Sequence, residues 1–144
     1  MEAKELRIGN WVNIEAIDLQ IDSIHSDNTI RLQSDDVNHK NYSSGSIGCF
    51  YINRVTPLPL TEEWLVKFGF KTDGVTYDLQ FPFVFHYGYR FSLYNTGNAV
   101  DFKRSGWAVR VFQSKQNIEI GRIQYVHQLQ NLYFALTNTE LTII

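Results

Sequence analysis

The stretch that decides the fold of this chain runs from residue 75 to residue 93 and reads VTYDLQFPFVFHYGYRFSL. Every odd position carries a large apolar or aromatic side chain, whereas the even positions are mostly polar or small. A period of two is typical of a β-strand with one buried face. One straight strand of this length would extend about 60 Å, too long for a domain of this size, so the segment must fold back. The large residues stay at odd positions along the whole segment, which predicts an odd-length loop, a bulge or a bend where it folds back. Pro82 and Gly88 are the candidate break points.

The N-terminal third also predicts strands. Ile17, Leu19 and Ile21 alternate with polar residues, and Asp27-Asn28 forms a turn signal before Ile30. Three short strands with tight connections predict an antiparallel meander, curled into a small SH3-like barrel. The polar residues 34–49 predict a long surface loop.

Local sequence signals predict two helices. Residues 61–69 begin with Thr61 as N-cap and end at Gly69, which suits a left-handed C-terminal position. Residues 125–136 carry one apolar stripe, and residues 141–144 could add an edge strand. The fold class predicted is therefore α+β: a curved, mostly antiparallel sheet or partial SH3-like barrel covered by these two helices. Further strands are expected around residues 107–111 and 118–120.

Composition and charge limit the function classes. The chain has 144 residues, a net charge of −2 and one cysteine, so it predicts one domain over residues 1–144 without a disulfide framework. We expect an acidic meander over residues 1–56, since residues 1–36 hold three basic and eight acidic residues, and helices with aromatic-rich strands over residues 57–144. An outer solvated sheet face is the ordinary explanation of that acidity. No segment is apolar enough to cross a membrane.

Catalytic and metal-binding patterns are missing from the sequence. It has no phosphate-binding glycine loop, no nucleophile elbow and no histidines at metal-ligand spacing. Cys49 paired with a distant histidine would be needed for a hydrolase, and an ordinary unpaired thiol is the simpler interpretation. We therefore expect no enzyme activity, no catalytic residues, no metal and no cofactor.

The most suggestive local feature combines basic and aromatic residues between positions 103 and 122. A basic strand surface with an aromatic stacking platform is typical of RNA or single-stranded DNA binding. Outward-facing charges on strands and turns would give the same pattern. The candidate binding residues are Lys103, Arg104, Trp107, Arg110, Lys115 and Arg122.

Three stretches carry a resemblance to known proteins: residues 5–12 (ELRIGNWV), 57–70 (PLPLTEEWLVKFGF) and 125–142 (YVHQLQNLYFALTNTELT), about 40 residues in all. They resemble a widespread group of small, mostly uncharacterised proteins carried by phages, prophages and mobile elements of Bacteroidetes. The resemblance implies a small accessory protein acting in the bacterial cytoplasm, and no catalytic residues can be carried over from the group.

Some small prophage proteins of this kind are anti-CRISPR inhibitors, including inhibitors of type VI RNA-guided ribonucleases. By this resemblance the expected function is a non-enzymatic binder that inhibits a host defence nuclease by contacting the effector or its guide RNA. The alternative is an RNA or single-stranded DNA binding module that uses the basic and aromatic residues. The oligomeric state is open, because the strand pattern also suits an edge strand shared across a dimer.

Overall fold

The computed structural model of the chain describes residues 2–34, 45–80, 90–95, 106–113 and 116–144. In this part of the chain ten strands form two antiparallel sheets of five strands each, with two α-helices and two 3₁₀ turns. The strands are β1 (Trp11–Ile14), β2 (Ile17–Ile24), β3 (Thr29–Ser34), β4 (Gly45–Tyr51), β5 (Thr56–Pro57), β6 (Lys71–Thr72), β7 (Thr76–Gln80), β8 (Arg90–Asn95), β9 (Trp107–Gln113) and β10 (Gln116–Ile123). The helices are α1 (Glu62–Lys67) and α2 (Val126–Thr137), and the 3₁₀ turns are Ala3–Glu5 and Ile52–Arg54.

The predicted α+β class with mostly antiparallel sheets is confirmed. The chain forms two compact units: Met1–Pro59 with Tyr125–Leu132, and Leu60–Gln124 with Tyr133–Ile144. The expectation of a single domain over residues 1–144 stays a prediction.

The first unit contains the predicted meander. Its strand order is β4-β3-β2-β1-β5, and β1 pairs with both β2 and β5, so the last strand returns to the first. Alternating strand residues supply its core, because one face of each strand excludes water. The buried residues of that core are Leu6, Val12, Ile14, Leu19, Ile21, Ile30, Leu32, Ile52 and Val55.

Buried amide side chains attach the first turns of α2 to the N-terminal segment of this unit. Gln130 Oε1 accepts the Trp11 backbone N–H at 2.9 Å, and Gln130 Nε2 donates to the Gly9 carbonyl at 3.0 Å. Asn10 Nδ2 donates to Asn131 Oδ1 at 3.0 Å. The two bonds of Gln130 satisfy backbone groups that burial would otherwise leave without water.

The second unit contains α1 and the other sheet, whose strand order is β10-β9-β8-β7-β6. Helix α1 begins at its N-cap Thr61, whose side chain accepts the Trp64 N–H. It ends through bonds from Gly69 N to Val66 O and from Phe70 N to Leu65 O, with Gly69 at a φ of 82°. This left-handed C-terminal arrangement is the one the sequence predicts.

The expected fold-back of residues 75–93 is confirmed by the pairing of β7 with β8. Tyr77 lies opposite Leu93, and Gln80 lies opposite Arg90. Nine residues separate that last pair, which is an odd number, as the unchanged parity required. Pro82 and Gly88 lie outside the described residues.

Three expectations about the chain are wrong in part. Residues 45–49 of the expected loop belong to β4, because they pair with β3; residues 35–44 lie outside the described part. Leu136, assigned to the buried stripe of α2, is 47% exposed. Residues 141–144 form no strand, and only Leu141 among them is buried, because the segment packs through its side chain.

Candidate functional site

The six residues predicted to bind nucleic acid divide into two groups. Trp107 and Arg110 lie on β9, and Arg122 lies on β10. The other three, Lys103, Arg104 and Lys115, lie outside the described residues.

Trp107 is a core residue and not the exposed stacking platform that the sequence suggested. It is 5% exposed, and its indole Nε1 donates to the Leu60 carbonyl at 2.8 Å. The ring also meets Tyr77 edge to face, with 5.5 Å between the ring centroids. Trp107 therefore presents no free ring face to a base, because both packing and its hydrogen bond keep it inside.

Arg110 does lie on a polar face of the second sheet. Across neighbouring strands Ser92 lies opposite Arg110, and Arg110 lies opposite Glu119. The next row on the same face pairs Tyr94 with Ala108 and Ala108 with Arg122. Strand pairing thus brings together residues from β8, β9 and β10 that are up to 28 positions apart in the chain.

A β-bulge decides that Arg122 joins this face. The register shifts between Glu119 and Gly121, so that Glu119 faces Arg110 while Arg122 faces Ala108. Residues three apart in a regular strand point to opposite faces, and the extra residue of a bulge puts them on the same face. We call the four residues Tyr94, Arg110, Glu119 and Arg122 the polar cluster.

The polar cluster is linked by hydrogen bonds and ion pairs. Arg110 Nη2 donates to the Tyr94 hydroxyl at 2.9 Å, and that hydroxyl donates to Glu119 Oε2 at 2.7 Å. The Arg110 guanidinium carbon also lies 4.2 Å from the Tyr94 ring centroid, a cation–π geometry. Glu119 lies 3.6 Å from Arg110 Nη2 and 3.8 Å from Arg122 Nη2. One carboxylate thus lies near two guanidinium groups, which leaves the cluster a net charge of +1.

The electrostatics of the polar cluster favour the ionised form of Glu119 and the protonated form of Tyr94. The hydrogen bond from the Tyr94 hydroxyl is the main cause that lowers the pKa of the Glu119 carboxyl, and Arg122 and Arg110 add to it. The same hydrogen bond raises the pKa of Tyr94. Tyr94 therefore stays a hydrogen-bond donor and Glu119 stays ionised.

The sequence did not identify Glu119 as part of the candidate site. Neither Glu119 nor Tyr94 is among the candidate binding residues predicted from the sequence. Strand alternation predicts which neighbours along β10 share a face with Glu119. Its pairing with Arg110 on β9 and the bulge after it follow from the tertiary structure, and no local sequence signal identifies the pairing or the bulge.

The residues considered for catalysis are dispersed. Cys49 is exposed on β4, while His39 and His86 lie outside the described residues. Ser23 Oγ lies 3.2 Å from His25 Nε2 at an exposed position, and the neighbouring Asp27 carboxylate accepts from the backbone and hydroxyl of Thr29. In the described ranges no group of three His, Cys, Asp or Glu side chains could hold a metal ion.

His127 is buried on α2, with 3% of its surface exposed, and its ring stacks on Tyr125 at a centroid distance of 5.8 Å. Among the described residues Nδ1 has no hydrogen-bond partner. Burial lowers the pKa of this imidazole, and the Glu5 carboxylate opposes that effect in part. His127 is therefore neutral near pH 7 and belongs to the core of the first unit.

No described helix is long and apolar enough to cross a membrane. The class that the fold and the polar cluster define is an α+β protein with a polar, aromatic face on one antiparallel sheet. Comparison of the chain with family models, curated proteins and solved structures finds no match.

Proposed function

We propose that this chain is a non-enzymatic binding protein that contacts a protein partner through the polar cluster. The observation that carries the proposal is that the cluster presents both signs of charge: Glu119 lies 3.6 Å and 3.8 Å from its two arginines. A nucleic-acid site gains affinity by neutralising phosphates, and a carboxylate between the two arginines opposes that. A surface with both signs of charge suits a partner that itself presents both signs.

The residue types and their rigidity also support a protein partner. Tyrosine and arginine are enriched among the residues that dominate protein interfaces. Arg110 is held by the Tyr94 ring and hydroxyl, and its side chain remains 37% exposed. A side chain that is already ordered loses less entropy on binding than a mobile one.

The resemblance to phage-borne proteins supports the choice of the first partner to test. We propose a host defence component met in the bacterial cytoplasm, in particular the protein surface of an RNA-guided ribonuclease of type VI. On this proposal the chain inhibits the nuclease by occupying a surface, and it needs no catalytic group or cofactor of its own.

A second candidate function is RNA or single-stranded DNA binding. It is favoured by the position of Arg110 and Arg122 on one face of the sheet, in neighbouring rows. Phe112, two residues from Arg110 along β9, shares that face and is half-buried. On this alternative Glu119 weakens binding, because its carboxylate repels phosphate.

The substitution Glu119→Gln separates the two functions, because it removes one negative charge and keeps an oxygen that accepts from Tyr94. Binding to a protein partner is expected to weaken about tenfold, because this chain loses a negative charge that complements a positive charge on the partner. On the second candidate function, binding to RNA should instead strengthen and fall more steeply with salt. The measurements are inhibition of target-RNA cleavage by a purified type VI effector loaded with guide RNA, and binding of the guide RNA alone by fluorescence anisotropy.

Arg54→Ala is the matched control, because Arg54 forms an exposed ion pair with Glu15 in the first unit. It should leave both measurements unchanged, whereas Arg110→Ala should reduce inhibition. Uninhibited cleavage at a large excess of the chain, together with no protein captured from host lysate, would refute the proposed partner. Stronger guide-RNA binding by Glu119→Gln than by the natural chain would favour the second candidate.

A further inference from the structure

Strand β10 lies at one edge of the second sheet, and among the described residues no strand pairs with its outer side. It has eight residues, whereas β6 at the opposite edge has two. Every residue from Gln116 to Arg122 is exposed, including Ile118 at 50% and Ile120 at 41%. A long edge strand with exposed apolar residues is a template for pairing with another strand unless something guards it.

The charged residues of β10 lean across the sheet and away from this edge. Glu119 accepts from the hydroxyl of Tyr94, which lies on β8, one strand beyond β9. Arg122 lies within ion-pair distance of the same carboxylate, at 3.8 Å. The strand also contains neither proline nor lysine, two residues that often block an edge; its bulge can block an edge too, and the register proposed below accommodates it.

The sequence of β10 is complementary to itself in the antiparallel direction. From Ile118 to Ile123 it reads IEIGRI. When a second copy of this segment runs antiparallel to the first, apolar residues lie opposite apolar residues and the acidic residue lies opposite the basic one. The bulge between Glu119 and Gly121 makes this match usable, because it puts Glu119 and Arg122 on the same face of the sheet.

We propose that a second copy of this chain docks edge to edge along β10, about a two-fold axis between Ile120 and Gly121. In this register Glu119 of each copy lies opposite Arg122 of the other, and Ile120 lies opposite Gly121, which leaves room for its side chain. Such a contact is isologous: one patch serves both copies. A two-fold axis normal to the sheet keeps the same face on the same side, so the two polar clusters join into one surface.

The dimer adds ion pairs between the two copies to each polar cluster. Within one copy, a single carboxylate faces two guanidinium groups, and in the dimer each Glu119 also gains Arg122 from the other copy across the strand pair. Opposite charges at directly opposed positions are favourable in antiparallel pairs. This inference does not depend on the function proposed above, because it concerns the edge of the sheet and not the partner bound by its face.

Sedimentation equilibrium of the full chain over about three orders of magnitude in concentration tests the proposal. The natural chain should show a monomer–dimer equilibrium. Arg122→Glu should weaken the dimer about tenfold or more, because it places two carboxylates opposite each other at both symmetry-related positions. Lys71→Glu makes the same charge change at the opposite edge and should leave the dimer unchanged. A natural chain that stays monomeric at every concentration, or an Arg122→Glu variant that dimerises as tightly, overturns the proposal.

A cross-link provides a second test that does not rely on the folding of Arg122→Glu. Ile120→Cys introduces a thiol next to the proposed axis, and Cys49→Ser removes the natural thiol from the background. With oxidised glutathione as the oxidant, the introduced thiols of the two copies should form an intermolecular disulfide, because residues beside the axis come within disulfide range. Lys71→Cys in the same background should remain uncross-linked. Equal cross-linking of both variants, or none in Ile120→Cys, overturns the proposal.

Discussion

Glu119 is the residue that sets the character of the polar face. Without it, Arg110 and Arg122 would give that face two unbalanced positive charges, the arrangement of a phosphate-binding surface. Its carboxylate stays ionised because the Tyr94 hydroxyl lowers its pKa. On the proposals above, this one side chain favours a protein partner over a nucleic acid.

His127 should make the stability of the first unit depend on pH. Burial lowers the pKa of His127 in the folded chain, while the unfolded chain keeps a value of about 6.5. The unfolded chain therefore binds more protons below that pH, so stability is full above about pH 6.5 and falls as the pH decreases toward the folded-state pKa. Urea unfolding of the natural chain and of His127→Phe at about pH 7.5 and 5.5 measures this, and the variant should show the smaller loss.

His25→Gln is the control for that measurement, because His25 is exposed just after the end of β2. Its pH dependence should match that of the natural chain. If His127→Phe loses as much stability on acidification as the natural chain does, the buried imidazole is not the cause of the pH dependence.

The turn between β1 and β2 stores backbone strain at Ala16. Glu15 and Ala16 both have positive φ values, 49° and 69°, the geometry in which Asn-Gly is preferred. Ala16→Gly should stabilise the chain by about 0.5 kcal/mol, because the relief of strain exceeds the added entropy of the unfolded chain. Thermal unfolding measures the effect. Ala135→Gly, on an exposed position of α2, should instead destabilise the chain by about 1 kcal/mol.

At the scale of elements, the stretches that carry the resemblance hold the first unit together. Gly9 and Trp11 from the first stretch bond to Gln130 from the third. The second stretch meets the third where Val126 N donates to the Leu58 carbonyl. These residues build the fold and are not members of the polar cluster, so the three stretches bear on architecture more than on the polar face.

Gln130→Leu should loosen the attachment of α2 to the N-terminal segment. The Trp11 N–H would be left buried without its acceptor, while the Gly9 carbonyl keeps the bond from Gln20 Nε2 at 2.9 Å. One buried donor without a partner costs about 2 kcal/mol. Urea unfolding should show that loss for Gln130→Leu and a smaller one for Gln128→Leu, whose side chain is only half-buried. Equal losses would mean that the buried amide is not the cause.

For the whole molecule, the small net charge should govern solubility. The chain carries −2 at pH 7 and its pI is near 6.0. Proteins self-associate most readily near zero net charge, so solubility should be lowest near pH 6.0 and rise toward about pH 8. Precipitation with polyethylene glycol across this range measures it. Arg31→Glu, at an exposed position of β3, should move the minimum to lower pH, and an unmoved minimum would contradict the charge argument.

The sequence by itself determined most elements of this protein. Period-two alternation predicted strands where β2, β7 and β8 lie, and the unchanged parity of residues 75–93 allowed the odd-length connection that the pairing of β7 with β8 shows. The caps of α1 at Thr61 and Gly69 were also readable, because these signals act between residues close in the chain.

Only the tertiary structure decided which residues meet. The burial of Trp107 depends on the distant Leu60 carbonyl, and the position of Arg122 depends on a bulge in the pairing of β10 with β9. Part of the expected loop became β4 because β3 offered a strand to pair with. Strand register and bulges result from competition among long-range pairings, so the ion pairs around Glu119 could not be predicted from local sequence.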